Sequence, residues 1–105
     1  MALEHRWSRR LEIHWQGSVF HRHAGLVTVK LVNIGMNGTF IAARHLKLPR
    51  NDCVELGFIA IQPDKLTIHH LQAYVIHATD NGYGLMFKDF RFSPQQPIAG
   101  VPNAA

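Results

Sequence analysis

Residues 26–38 read LVTVKLVNI-GMNG, and this stretch decides the fold. Leu26–Ile34 is rich in β-branched residues and carries no 3.6-residue period, which marks it as a strand. Gly35–Gly38 is turn chemistry, with Asn37-Gly38 the dipeptide that best tolerates positive φ, and Thr39–Ala43 resumes as a further strand. Working upstream, Leu11, Ile13 and Trp15 alternate with Glu12, His14 and Gln16, so a half-buried strand is expected to about Phe20, with His21–Gly25 as the turn. Downstream, the turn Leu48-Pro49-Arg50-Asn51-Asp52 leads into a strand over Cys53–Ile61, Pro63-Asp64 turns, and Leu66–Thr79 is long enough for one strand or a strand with a bulge. Asp80-Asn81-Gly82 then sets a hairpin before Tyr83–Phe90. Six closely spaced strands and no amphipathic helix predict an antiparallel barrel or sandwich, with Trp15, Phe20 and Phe58 at core positions.

The 105 residues, 47% hydrophobic and 17% charged, suit one globular domain and exclude wholesale disorder. The expected division is an arginine-rich flexible arm over 1–10, a barrel over 11–90 and a flexible tail over 91–105, where three prolines and a lack of bulk from Ser93 onward predict mobility. No run approaches the roughly 18 apolar residues of a membrane-spanning helix. The charged start has no apolar stretch behind it, so a secretory signal is not expected and the default location is the cytoplasm. A single cysteine, Cys53, excludes an internal disulfide and any multi-cysteine metal site, and reads as a structural thiol. Eleven Lys+Arg against seven Asp+Glu give a net charge of +4, which favours an anionic partner. Arg6, Arg9 and Arg10 concentrate that charge at the start of the chain; the other basic residues are scattered, which argues against a nucleic-acid track.

Two motifs flank the first two strands. Arg6-Trp7-Ser8-Arg9-Arg10 has R-x-x-x-R spacing with an extra arginine inside it, and Asn33-Ile34-Gly35-Met36-Asn37-Gly38 is N-x-G-x-x-G at a strand end. Taken singly, a basic arm is an ordinary solvated segment and an Asn-Gly turn is common hairpin chemistry; paired at this spacing they resemble the PilZ domain family. That family sets R-x-x-x-R before its first barrel strand and [D/N]-x-S-x-x-G between its second and third. Leu48-Pro49 with Val54–Phe58, and Val75–Ala78 with Gly82-Tyr83-Gly84-Leu85-Met86-Phe87, extend the resemblance over roughly residues 4–90. It implies a six-stranded antiparallel Greek-key β-barrel of split-barrel type and binding of the bacterial second messenger cyclic di-GMP, in the setting of motility and biofilm control. By resemblance, Arg6 and Arg10 are the motif arginines and Asn33 and Gly38 the loop positions; Arg9 is adjacent, and Gly35 stands where the family prefers serine. The chemistry agrees: guanidinium forks match phosphate oxygens and the O6/N7 edge of guanine, and glycines let a base approach the backbone. Trp7 can stack on a guanine or pack on the barrel rim.

Other residues read more plainly. His21-x-His23 and His69-His70 are expected as solvent-facing strand histidines, because no spacing supplies the three or four convergent ligands of a metal site. No nucleophile elbow, P-loop or carboxylate dyad is visible, so binding rather than catalysis is expected, without a cofactor. With no length left for an output domain, the signal is expected to pass to an effector protein on another chain. Two alternatives stay open: a PilZ-like interaction module in pilus or motility assembly that no longer binds nucleotide, and a small basic barrel for single-stranded nucleic acid.

Overall fold

The computed structural model of the chain describes residues 10–93. It is all-β: β1 (Leu11–His21), β2 (Gly25–Ile34), β3 (Gly38–Ala42), β4 (Cys53–Gln62), β5 (Lys65–Ala78) and β6 (Gly82–Phe87). The strands close into an antiparallel barrel in the order β1-β2-β3-β6-β5-β4. Hairpins join β1–β2–β3 and β4–β5–β6, and the long connection over 43–52 returns β4 to the side of β1, which is a Greek key. Strand ends fall within two residues of those expected, with one exception. β6 stops at Phe87 rather than Phe90, because Asp89 takes a left-handed backbone (φ 54°) that turns the chain out of the ladder. No helix of the described residues is long and apolar enough to cross a membrane.

The two halves of the chain meet along β3 and β6, where Gly38 pairs with Met86 and Ala42 with Gly82. A β-carbon on Gly38 would collide with the carbonyl oxygen of Leu85, and one on Gly82 with that of Ile41. Both ends of this seam therefore require a residue without a side chain. This corrects the reason for glycine in the β2–β3 turn. Neither Asn37 nor Gly38 has a positive φ; the need at Gly38 is close approach between strands.

Inward-facing residues of all six strands form the core, with Val19, Leu31, Ile34, Ile41, Val75 and Leu85 fully buried. Period two holds without interruption along β1, so Ile13, Trp15, Val19 and His21 point inward and Phe20, expected in the core, stands outside at 45% exposure. The connection over 43–52 folds Leu46 and Leu48 over one end of the barrel. Tyr83 pins it there: its hydroxyl donates to the Leu46 carbonyl (2.7 Å) and accepts from the Leu48 N–H (3.0 Å). At the other end the barrel extends past its expected limit at Phe90. Phe92, assigned to the tail, is only 4% exposed and lies edge-on to both Trp15 and Phe58, at centroid distances of 5.7 and 6.2 Å. The remainder of the expected tail, 94–105, and the arm over 1–9 lie outside the described residues.

Two stability outcomes follow from these contacts. Gly82→Ala forces β3 from β6 and should cost about 1–3 kcal/mol. Phe92→Ala empties an aromatic site in the core and should cost about 3 kcal/mol or more. Urea unfolding of each variant measures both; a Phe92→Ala midpoint equal to wild type would exclude Phe92 from the folded core.

Candidate functional site

Antiparallel closure brings the start of β1, the β2–β3 turn, the β4–β5 hairpin tip and the end of β6 to one end of the barrel, opposite the end covered by residues 43–52. Arg10 and Asn33 meet there. Leu11 pairs with Ile34 and Glu12 with Asn33, and Arg10 Nη1 donates to Asn33 Oδ1 at 2.8 Å. Register shifts interrupt both ladders beside this contact, between Glu12 and Trp15 in β1–β2 and between Leu31 and Asn33 in β2–β3. Such bulges bend a strand and re-aim its side chains, here at the end where the two motifs adjoin. Arg6, Trp7 and Arg9 lie outside the described residues, so Arg10 is the one member of the arm whose position is defined.

The turn is held from behind. Gly35 N–H donates to the Gly38 carbonyl (2.9 Å), and the buried Thr39 hydroxyl donates to the Asn33 carbonyl (2.6 Å). The carbonyls of Met36 and Asn37 accept from Phe92 N–H (2.9 Å) and Phe87 N–H (2.8 Å). These bonds occupy the carbonyls of Asn33, Met36, Asn37 and Gly38 with the protein's own donors. Among the described residues no acceptor pairs with the N–H of Met36 or Asn37, so the turn retains backbone donors for an anionic or carbonyl-bearing ligand. Gly35 is buried and Met36 and Asn37 are exposed.

Below the turn, aromatic rings close this end of the barrel. Phe92 lies between Trp15, Phe58 and His69, and His69 stacks on Phe58 at 5.0 Å and meets Phe90 edge-on at 5.6 Å. His69 is therefore not the solvent-facing histidine expected; withdrawal from water lowers its pKa below the usual 6.5. Nor is His21, which is 3% exposed near the opposite end. Its Nδ1 accepts from the His23 backbone N–H (3.2 Å), leaving Nε2 to donate to Asp52 Oδ2 at 2.9 Å. Cys53 is exposed. Among the described residues no three His, Cys, Asp or Glu side chains converge as a metal site.

Thr39, His69 and Phe92 were missed as contributors to this end. A signal existed for the last: Phe87, Phe90 and Phe92 follow one another in a segment too aromatic for a solvated tail. Two surface clefts lie away from the turn, on the outer wall of β1, β4 and β5. One, of about 390 Å3, is lined by Ser18, Phe20, Leu26, Glu55, Gly57 and His70 among others; the second, of about 280 Å3, lies beside it around Arg22, Asp52 and Cys53. The chain matches no protein-family model and no curated protein sequence.

Partial burial of His69 has a pH consequence. Its folded-state pKa lies below its unfolded value, so its contribution to stability is complete above about pH 6.5 and is lost as the pH falls through the lowered folded value. Melting curves of wild type and His69→Phe should converge or cross on acidification, the wild type losing more between neutral and mildly acidic pH. Parallel pH profiles would contradict the assignment.

Proposed function

We propose that the protein is a receptor for cyclic di-GMP, which it takes between the arginine arm and the Asn33–Gly38 turn and reports to another protein. The observation supporting this is the Arg10–Asn33 hydrogen bond, which joins the two motifs across 23 residues of sequence. Two features that resemble the PilZ signature only in order and spacing are thus in contact in space. The bond is exposed, so the guanidinium exchanges Asn33 for a ligand phosphate at little cost, and a charge-assisted bidentate contact replaces a neutral acceptor. Asn33 is then released to face a guanine edge, and the N–H groups of Met36 and Asn37 face the ligand from the other side. Arg6 and Arg9 supply further guanidinium groups, and Trp7 a stacking face. A dinucleotide carrying two phosphodiester charges and two guanines uses all of these groups; a single-stranded nucleic acid needs a longer basic groove than these few arginines make.

Gly35 supports a second reading, a PilZ-like module that works through protein contacts alone, because a serine hydroxyl is missing from the turn. Gly35 does not have a positive φ, so its backbone accepts a side chain.

Calorimetric titration with cyclic di-GMP tests the proposal. Binding is expected for the wild type, with amide shifts at residues 33–38. Arg10→Ala should weaken it by at least about 1.5 kcal/mol, on the order of tenfold. Gly35→Ser should strengthen it by roughly two- to tenfold, the scale of one neutral hydrogen bond. Absence of heat and of amide shifts at millimolar ligand would reject the receptor and leave the protein-contact module.

A further inference from the structure

The antiparallel register aligns an outward row across the first three strands. Glu12 of β1 pairs with Asn33 of β2, and Asn33 pairs with Phe40 of β3. Directly paired residues share one face of a sheet, their β-carbons about 5 Å apart. That face is the outer one, because the residues next to the row, Ile13, Ile34, Thr39 and Ile41, are buried inside the barrel. Phe40 is half-buried, lies outside the hydrophobic core and pairs with no other ring among the described residues. Small residues surround it: Gly38 and Ala42 are its outward neighbours along β3, and Gly84 is its partner on β6. The hollow at Gly84 belongs to His77, whose Cβ is 3.2 Å from where a β-carbon on that glycine would stand, so the Phe40 ring is not there to fill it. Glu12 is exposed and pairs with no cation among the described residues, although Arg10 is two residues away. The Arg10 guanidinium goes instead to Asn33 Oδ1, and the Asn33 Nδ2 hydrogens have no acceptor among the described residues. A carboxylate, an amide and a flat apolar ring thus stand side by side on three strands, next to the Asn33–Gly38 turn.

We propose, on the basis of the receptor reading, that the row Glu12–Asn33–Phe40 seats one guanine base of the ligand and sets its preference for guanine over adenine. Phe40 supplies the stacking face. Gly38, Ala42 and Gly84 raise no long side chain beside the ring, which leaves a base room to lie against it. Stacking on an aromatic ring is tolerant of base identity, so selection falls to the two polar members of the row. Guanine presents O6 as an acceptor, with N1–H and the 2-amino group as donors further along the same edge. Asn33 Nδ2 donates to O6, and the Glu12 carboxylate accepts from N1–H and the 2-amino group. Adenine has no proton on N1 and no 2-amino group, so its edge turns a lone pair toward the carboxylate and leaves a charged acceptor without a donor. Arg10, two residues from Glu12, offsets the repulsion between this carboxylate and the phosphates of the ligand. The guanidinium groups thus hold the phosphates, and the row reads the base.

Titration of the full chain with cyclic di-GMP and with cyclic di-AMP, together with proton spectra of the bound ligand, tests this. The wild type is expected to bind the guanine dinucleotide at least about tenfold more tightly than the adenine one. Glu12→Gln, at an exposed position, should shrink that preference severalfold, because a glutamine amide donates to adenine N1. Phe40→Leu should weaken cyclic di-GMP binding about tenfold and remove the upfield shift of the guanine H8 proton that a stacked ring produces, whereas Phe40→Tyr keeps both. Equal wild-type affinity for the two dinucleotides, an unchanged preference in Glu12→Gln, or wild-type affinity and H8 shift in Phe40→Leu would each overturn the assignment of the row. The receptor reading survives any of these three results if cyclic di-GMP binds and Arg10→Ala weakens it. A wild type that binds neither dinucleotide rejects the row and the receptor together.

Discussion

The structure depends on how closely β3 can approach β6. Each half of the chain is a three-stranded meander with two open edges, and a barrel exists only if those edges meet on both sides. The β1–β4 seam runs over residues 17–20 and 55–58 and the β3–β6 seam over 38–42 and 82–86, so closure rests on two short contacts of similar length, of which β3–β6 is the one with the tightest steric demand. Gly38 and Gly82 mark its two ends, each with a partner carbonyl in the space a methyl group would occupy. Closure removes exposed sheet edges along most of the strands and fixes which loops share an end. The juxtaposition of Arg10 with the β2–β3 turn is a consequence of that ring of strands, as is the overhang of the β4–β5 ribbon where neighbouring ladders stop.

The number of strands, their order along the chain and nearly all their limits were legible, because alternation, β-branched runs and Gly/Asn/Pro/Asp turns are local signals. Closure was not legible from composition or period; it entered only through family resemblance. The misreadings have specific causes. Alternation is the ground on which Phe20 is expected inside with Trp15, yet positions 15 and 20 are of opposite phase, and the phase set by Ile13 and Trp15 puts Phe20 outside. Gly38 was assigned to turn conformation because its true constraint, the Leu85 carbonyl, is 47 residues distant in sequence and invisible in a local window. Phe92 was lost among prolines and small residues that follow it, although its ring completes the cluster of Trp15 and Phe58. At the candidate site the two motifs disclosed their own partners, Arg10 and Asn33. The groups that brace the turn, Thr39 and the backbone of Phe87 and Phe92, come from other parts of the fold.

The physical character of the two ends differs. Residues 43–52 seal one end with leucines and a tyrosine hydroxyl that satisfies two backbone groups at once. The other is sealed by rings, and above the rings sit an exposed guanidinium, a half-buried amide and a turn most of whose carbonyls are already bonded. A rigid floor under adaptable polar groups is the arrangement in which a charged ligand exchanges water and weak internal bonds for stronger ones without disturbing the core. The aromatic floor also reaches the ribbon through His69, so the turn, Phe92 and the inner side of the β4–β5 hairpin form one continuous packed unit.

Arg10 opens the described chain beside Asn33, and Phe92, one residue from its close, is bonded to Met36. Both ends of the barrel's polypeptide thus emerge on the same rim, the one that carries the turn. A purification tag, fluorescent protein or tethering linker attached close to either end would be anchored at that rim. An insertion in the exposed β1–β2 turn over 22–24, on the far side, would leave both the rim and the leucines that seal that end undisturbed, and that turn is accordingly the place to graft a reporter.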